Sequence, residues 1–203
     1  MTNIEVTVAR IPHIVGIGGT TRANSSTEKA LRFALSVADD AGATTTAFYG
    51  QQLSALPHYA PEDPDRCDDA RMLTDVLRRA DGIIIASPGY HGAVSGLVKN
   101  ALDYVEDLRE DPRSYFDGLA VGCIATGAGW QATVQTLMQL RTIAHSLRGW
   151  PTPLGVAINS TEKVFDADGD VLDERVKWQL ETVAREVVQF AAMKLAANEL
   201  LPA

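Results

Sequence analysis

Cysteine is scarce: Cys67 and Cys123 are the only two among 203 residues, too few for a disulfide framework. Cys123 falls in an apolar strand pattern and Cys67 in a polar loop, so no bridge between them is expected. Two free thiols suit a reducing, cytoplasmic setting. No apolar run is long enough to span a bilayer, which excludes a helical membrane span. The opening stretch MTNIEVTVARIPH lacks a basic start followed by an apolar core, so no signal peptide is expected. Positive charge is also short, with 18 Lys and Arg against 26 Asp and Glu and a net charge of −8. That balance argues against a nucleic-acid partner, because phosphate backbones need a positive surface. A local cluster of donors can still hold a small anion. No long Pro, Gly or Ser tract marks a linker, so residues 1–203 are read as one domain, with 1–12 as an N-terminal extension.

What the chain does have is a regular alternation of strand and helix signals. His13 to Gly18 reads as a first buried strand. A helix is expected from about Ser25 to Asp40, because Leu31, Ala34, Leu35 and Ala38 share one face. Ser25 and Glu28 have the spacing of a capping box, and Gly42 is a plausible stop. Thr44 to Tyr49 is β-branched and aromatic, a second strand. Gly50 to Asp68 carries three prolines and no clear period, which predicts a surface loop. Leu73, Val76, Leu77 and Ala80 define a second helix, which ends at Asp81-Gly82 before the apolar strand Ile83 to Ala86. A third helix carries Leu97, Val98, Ala101, Leu102 and Val105, and Leu119 to Ala125 is the fourth strand. A fourth helix is expected from about Trp130 to Leu147, a fifth strand over Leu154 to Ile158, and a last helix burying Leu180 to Ala191. Five βα units with continuously apolar strands predict an α/β fold, a five-stranded parallel sheet with helices on both faces. Right-handed crossovers make 2-1-3-4-5 the leading strand order.

In an open sheet of this order, ligands bind beyond the carboxyl ends of the strands, where the order reverses. The loops after the first and third strands flank that point, and they are the two most unusual loops in the chain. The first runs from Gly18 to Thr27 and presents Thr20, Arg22, Ser25, Ser26 and Thr27 beside the unpaired N–H groups of a helix N-terminus. One guanidinium and several hydroxyls make a sensible cradle for a phosphate monoester. The same residues also suit a plain N-capped polar loop. No Gly-x-Gly-x-x-Gly supports a dinucleotide site, and no Lys-Ser/Thr pair follows a glycine loop, so a mononucleotide fits best.

The second loop, Ser87 to Gly96, contains Pro88, Gly89, Tyr90, His91 and Gly92. Its glycines would bring backbone donors and acceptors close to a flat ligand such as an isoalloxazine ring, with Tyr90 packing beside it. A Pro-Gly turn linking strand to helix explains the same residues. A third loop, Thr126, Gly127, Ala128 and Gly129 before Trp130, follows the fourth strand; its small residues permit close backbone approach or simply start a helix. Asp166 to Asp170 resembles the start of a calcium loop but lacks the incoming helix and the closing glutamate, so it is read as a solvated turn. His13, His58 and His145 are scattered, with no paired spacing for a metal.

These motifs together resemble the NAD(P)H-dependent FMN reductase family of flavodoxin-like proteins, from about Ile14 to Ile158. The family's Gly-Ser-x-Arg-x-x-Ser phosphate loop is matched by Gly19 to Ser25, with Thr20 in place of serine. Its Ser-Pro-x-Tyr loop is matched by Ser87 to Tyr90, and its Gly-x-Leu-Lys-Asn-x-Leu-Asp by Gly96 to Asp103. The resemblance implies a flavodoxin-like three-layer sandwich that binds FMN. Thr20, Arg22, Ser25 and Thr27 would hold the phosphate, Pro88 to Gly92 would border the ring, and Thr126 to Gly129 would line its other side. Lys99, Asn100 and Asp103 would stabilise the helix and loop. It further implies a homodimer or homotetramer with the flavin near a subunit interface. Gly89 stands where many relatives carry a larger, often acidic, residue, and is expected to open the flavin edge.

The implied reaction is hydride transfer from NAD(P)H to the flavin and then to an acceptor, through orientation and electrostatics rather than a catalytic acid or base. His91 is the one tempting proton donor, though a surface histidine beside the ligand explains it better. The alternatives are a quinone, azo or nitro-compound reductase with tightly bound FMN, a flavodoxin-type electron carrier, and a regulatory domain without cofactor. Arg22 favours the reductase over the carrier, and the lack of acidic residues after the first strand speaks against a receiver domain. Arg109 and Arg113 are either solvated charges or candidates for meeting a 2′-phosphate, which would bear on NADH against NADPH.

Overall fold

The computed structural model describes residues 10–200. Most of the N-terminal extension expected over 1–12 therefore lies outside the described residues. The chain runs β1 (His13–Gly18), α1 (Ser26–Asp40), β2 (Thr44–Phe48), α2 (Gly50–Ala55), α3 (Asp68–Arg78), β3 (Gly82–Tyr90) and β4 (Ala93–Val94). It continues through α4 (Gly96–Asp103), a 3-10 segment (Tyr104–Leu108), β5 (Ala120–Gly127), α5 (Trp130–Ser146), β6 (Trp150–Pro151), β7 (Val156–Asn159) and α6 (Glu174–Leu200).

The sheet order is β2-β1-β3-β5-β6, with β7 also paired to β5 and β4 to β3. The expected parallel order holds, but the sheet has seven strands rather than five. Both additions have local causes. The edge strand is split: Trp150 and Pro151 pair with Ala120 and Val121, and pairing resumes at Ile124–Val156. Pro151 and Pro153 lack the N–H a continuous ladder needs, which is tolerated at an edge. The other addition is a hairpin, in which β3 runs on through the expected loop to Tyr90 and folds back on β4. Pro88 suits this place because β1 has ended opposite Ala86, leaving one side of the strand free.

Alternation along the strands divides the core between two faces. Ile14, Ile84 and Ile124 pack under α1 and α6, with Leu31, Leu35, Val183 and Val187. Val15, Ile17, Ile83, Ile85, Val121 and Cys123 pack under α3, α4 and α5, with Leu73, Leu77, Val98 and Leu140. Both cysteines are free; Cys123 is fully buried, and burial pushes its thiol pKa up to about 12.

The proline-bearing stretch after β2 is not wholly loop, since Gly50–Ala55 forms α2. The rest is pinned to α4 and the 3-10 segment by polar anchors. Asn100 accepts from Tyr59 N at 2.9 Å and donates to Pro57 O at 2.8 Å. Arg66 makes a bidentate pair with Asp107, at 2.7 and 2.8 Å, with its guanidinium over the rings of Tyr59 and Tyr104. Hydrogen bonds from Arg66 hold the Asp107 carboxyl below the usual range. The Asp166–Asp170 segment is a turn: Asp166 Oδ1 accepts from Gly169 N and Asp170 N, and no metal-holding cluster exists among the described residues.

Candidate functional site

A cleft of about 220 Å³ opens at the carboxyl ends of β1, β3 and β5. All three loops singled out from the sequence contribute to it. Thr20, Arg22, Ser25, Ser26 and Thr27 form one wall, Pro88, Gly89 and Tyr90 a second, and Thr126, Gly127 and Ala128 a third. No carboxylate lines it among the described residues. The remaining expected residues, His91, Gly92 and Gly129, line a neighbouring cleft of about 440 Å³ with Trp130, Gln131 and Gln135.

The phosphate-loop candidates divide by what their polar atoms already do. Thr20 Oγ1 donates to Arg22 O at 3.0 Å and accepts from Arg22 N at 3.2 Å, so this hydroxyl shapes the loop. Ser25 caps α1, accepting from Glu28 N at 3.2 Å. The expected capping box is half formed, because Glu28 turns to Arg32 at 2.5 Å instead. Arg22 is exposed and makes no ion pair or side-chain hydrogen bond among the described residues. The first N–H groups of α1, at Ser26 and Thr27, have no acceptor within the helix. A free guanidinium, an N-terminal helix end and hydroxyls without any carboxylate make a donor set that fits an anion.

The second wall is the β3–β4 hairpin. Its two-residue turn, His91 and Gly92, has φ of 54° and 76°, the twist that suits a tight hairpin and that glycine adopts readily. α5 clamps it: Gln139 Nε2 donates to Gly92 O at 2.8 Å and Gln139 Oε1 accepts from Val94 N at 3.3 Å. At the hairpin's base, Ser87 Oγ accepts from Ser95 N at 3.0 Å, and Ser95 in turn caps α4. Tyr90 is 55% exposed on the cleft wall. Gly89 does not open this wall, contrary to expectation. A Cβ there would lie 2.5 Å from Thr136 Oγ1 and 3.3 Å from Ala132 O, so α5 already fills the space.

The third wall is held from the edge of the sheet. Gly129 N donates to Asn159 Oδ1 at 2.9 Å, and the same oxygen accepts from the Thr161 hydroxyl at 2.8 Å. Ser160 follows and lines the cleft, its N–H donating to Gly127 O at 2.8 Å. Asn159, Ser160 and Gln139 were missed from the sequence. The polar run Asn159-Ser160-Thr161 after the fifth strand was a signal; Gln139 lies mid-helix and gave none.

Arg109 and Arg113 do not reach the cleft. Arg113 caps α3, donating to Leu77 O at 2.7 Å, Arg78 O at 2.8 Å and Ala80 O at 3.0 Å, and burial lowers its pKa. Arg109 pairs with Glu106 and Glu110. Arg113 lines a basic cleft at the opposite end of the sheet, whose other cations are largely committed: Arg10 to Asp81, Arg78 to Asp111, and Lys194 to Gly118 O.

The profile of the NADPH-dependent FMN reductase family matches residues 12–163, which include all three walls. The chain belongs to that family. An NAD(P)H-dependent FMN reductase of Pseudomonas aeruginosa is 27% identical over 182 residues, covering 87% of this chain and 89% of the relative. An FMN-dependent NADPH-azoreductase of Staphylococcus aureus is 33% identical over 108 residues, 53% of this chain and 54% of its own length. Among solved structures, the flavoenzyme NAD(P)H:acceptor oxidoreductase FerB of Paracoccus denitrificans aligns with a TM-score of 0.72 at 20% identity, covering 90% of this chain and 98% of that one. A WrbA-like flavodoxin of Agrobacterium tumefaciens aligns at 0.60 and 16% identity, with 90% and 98% covered. Both share the flavodoxin-like fold. As a member of the FMN reductase family, the chain is an FMN-dependent oxidoreductase with NAD(P)H as reductant.

Proposed function

We propose that the cleft at the carboxyl ends of β1, β3 and β5 binds FMN, phosphate first, and that the chain passes hydride from NAD(P)H through it to a small-molecule acceptor. The observation that carries the site assignment is the donor set around Arg22, with the helix end behind it and no carboxylate in the lining. Arg22 supplies the charge. Ser25, Ser26 and Thr27 supply donors from the helix end, while Thr20 keeps the loop in shape. Pro88, Gly89 and Tyr90 border the ring, and Thr126, Gly127 and Ala128 face it from the other wall. His91, Gly92 and Gly129 lie one step out, beside Trp130, where a nicotinamide or an acceptor would stack.

Bound FMN supplies the ring that takes up hydride and gives electrons onward. The residues contribute orientation and exclusion of water, which act mainly through proximity. No side chain is assigned as acid or base. The family match favours this enzyme over an electron carrier, and the likeness to an azoreductase supports a second reading, FMN retained as a prosthetic group that reduces an azo or quinone-type acceptor.

We also read the chain as one cytoplasmic domain that forms a homodimer or homotetramer. Exposed Tyr90 and Trp130, which line the two clefts, support an interface there. No helix among the described residues is long and apolar enough to cross a membrane. Light scattering on the purified protein tests the assembly. The deciding experiment for function is an absorbance spectrum with FMN, followed by anaerobic NADPH and NADH. Bleaching of the flavin band is expected; a flavin that neither binds nor bleaches would remove the proposal.

A further inference from the structure

Two buried hydroxyls join the phosphate wall of the cleft to its ring wall. Thr27 lies in the first turn of α1 and Thr126 near the end of β5, and their Oγ1 atoms are 2.6 Å apart. They are 2% and 3% exposed, and both line the cleft. A threonine hydroxyl has one proton and two lone pairs. The shared hydrogen bond uses one of the two protons. The other has no acceptor among the described residues, since neither Oγ1 makes a further hydrogen bond. Buried donors in native proteins are met, and the cleft is where this one can be.

Which proton is spare depends on which hydroxyl donates. If Thr27 donates, the spare proton sits on Thr126 and faces the ring side. If Thr126 donates, it sits on Thr27, next to the unpaired N–H groups of α1 and on the same loop as Arg22. That corner favours negative charge. A phosphate oxygen accepts hydrogen bonds, so it draws the proton of whichever hydroxyl stands beside it. We infer that Thr126 is a positioning residue. It donates to Thr27 Oγ1 and thereby holds the Thr27 hydroxyl in the orientation that donates to the FMN phosphate. Thr126 then offers the ring only a lone pair. This rests on the reading of the cleft as an FMN site.

The test compares FMN with riboflavin, which lacks the phosphate, by quenching of flavin fluorescence. Thr126→Val keeps the shape and removes the hydroxyl; Thr126→Ser keeps the hydroxyl. Thr126→Val is expected to raise the Kd for FMN, and to raise it about tenfold more than that for riboflavin, the scale of a hydrogen bond to a charged group. Thr126→Ser is expected to restore FMN binding. Equal weakening of both flavins would assign Thr126 to packing and overturn the inference, as would unchanged FMN binding. Arg22→Ala separates the two levels: if it leaves FMN binding unchanged, the phosphate reading itself fails and the inference with it. If it weakens FMN alone while Thr126→Val does nothing, only the inference fails. Should Thr126→Val not fold, NMR on the unmutated protein with FMN decides. A slowly exchanging hydroxyl proton coupled to the phosphorus nucleus and assigned to Thr27 supports the arrangement; assignment to Thr126, or no such coupling, overturns it.

Discussion

Gly89 lies so close to Thr136 that α5 occupies the place of the side chain it lacks. A Cβ at Gly89 would fall 2.5 Å from Thr136 Oγ1, and Thr136 is fully buried with its hydroxyl donating to Ala132 O at 2.8 Å. A Cβ at Gly89 and the present placing of the Thr136 hydroxyl are mutually exclusive, and Ala132 O stands 3.3 Å from the same Cβ. α5 links the hairpin to the third wall, since Gly129 is its N-cap and Gln139 clamps the hairpin at Gly92 O.

Gly89→Ala is therefore expected to destabilise the apoprotein by about 1–3 kcal/mol through overpacking. It should also weaken FMN binding, because the displaced helix carries Gly129 and Trp130 with it. Combining it with Thr136→Ala removes the clash and should recover part of both losses. Chemical denaturation and flavin titration of the single and double variants check this; additive losses would sink it.

Arg22 reaches the cleft without a carboxylate partner among the described residues, so its charge is open to a ligand. Arg22→Ala is expected to cost about 1.5–3 kcal/mol in FMN binding and nothing measurable in apoprotein stability. Arg22→Lys should retain only part of the affinity, since an ammonium lacks the planar fork. Raising the salt concentration should weaken FMN binding in the parent protein and have less effect in Arg22→Ala. A salt response equal in both would mean the charge lies elsewhere.

The parallel order and the place of the cleft were legible because both rest on long-range regularities: apolar strands alternating with amphipathic helices, and unusual loops at the switch point. The errors were local. Pro88 suggested a loop, yet a strand with one free side accepts it, so β3 continues to Tyr90. Gly89 suggested open space, but an absent side chain does not reveal what packs in its place. Gln139 and Asn159 hold two walls through side-chain to backbone bonds across 47 and 30 residues, a relationship that no periodicity encodes.

His91 holds a left-handed conformation, φ 54°, at the tip of the hairpin. A residue with a Cβ is strained there, by about 1 kcal/mol. His91→Gly is expected to raise stability slightly or leave it unchanged, and His91→Val to lower it by more. If the imidazole only marks a turn, His91→Asn, which tolerates this conformation, should keep the pH–rate profile of the parent. A changed profile would instead assign the imidazole a proton-transfer role.

The Arg66–Asp107 pair makes a pH prediction that is independent of the cofactor. Asp107 accepts from Arg66 at 2.7 and 2.8 Å and from the Tyr59 hydroxyl at 3.1 Å, and these bonds lower its pKa in the folded protein. In the unfolded chain the carboxyl titrates near the ordinary value of about 3.9. A carboxyl whose folded pKa is depressed contributes stability that is fully present above the unfolded value and is lost as pH falls through the folded one. Arg66 stays charged throughout. Asp107→Asn is therefore expected to cost about 2 kcal/mol at neutral pH, where a carboxylate loses charge-assisted bonds and the guanidinium loses its partner. The gap between parent and variant should hold steady down to about pH 5 and close below about pH 4. Urea denaturation across that range measures it directly. A gap that persisted undiminished at the lowest pH would show that the pair contributes packing against Tyr59 and Tyr104 rather than charge.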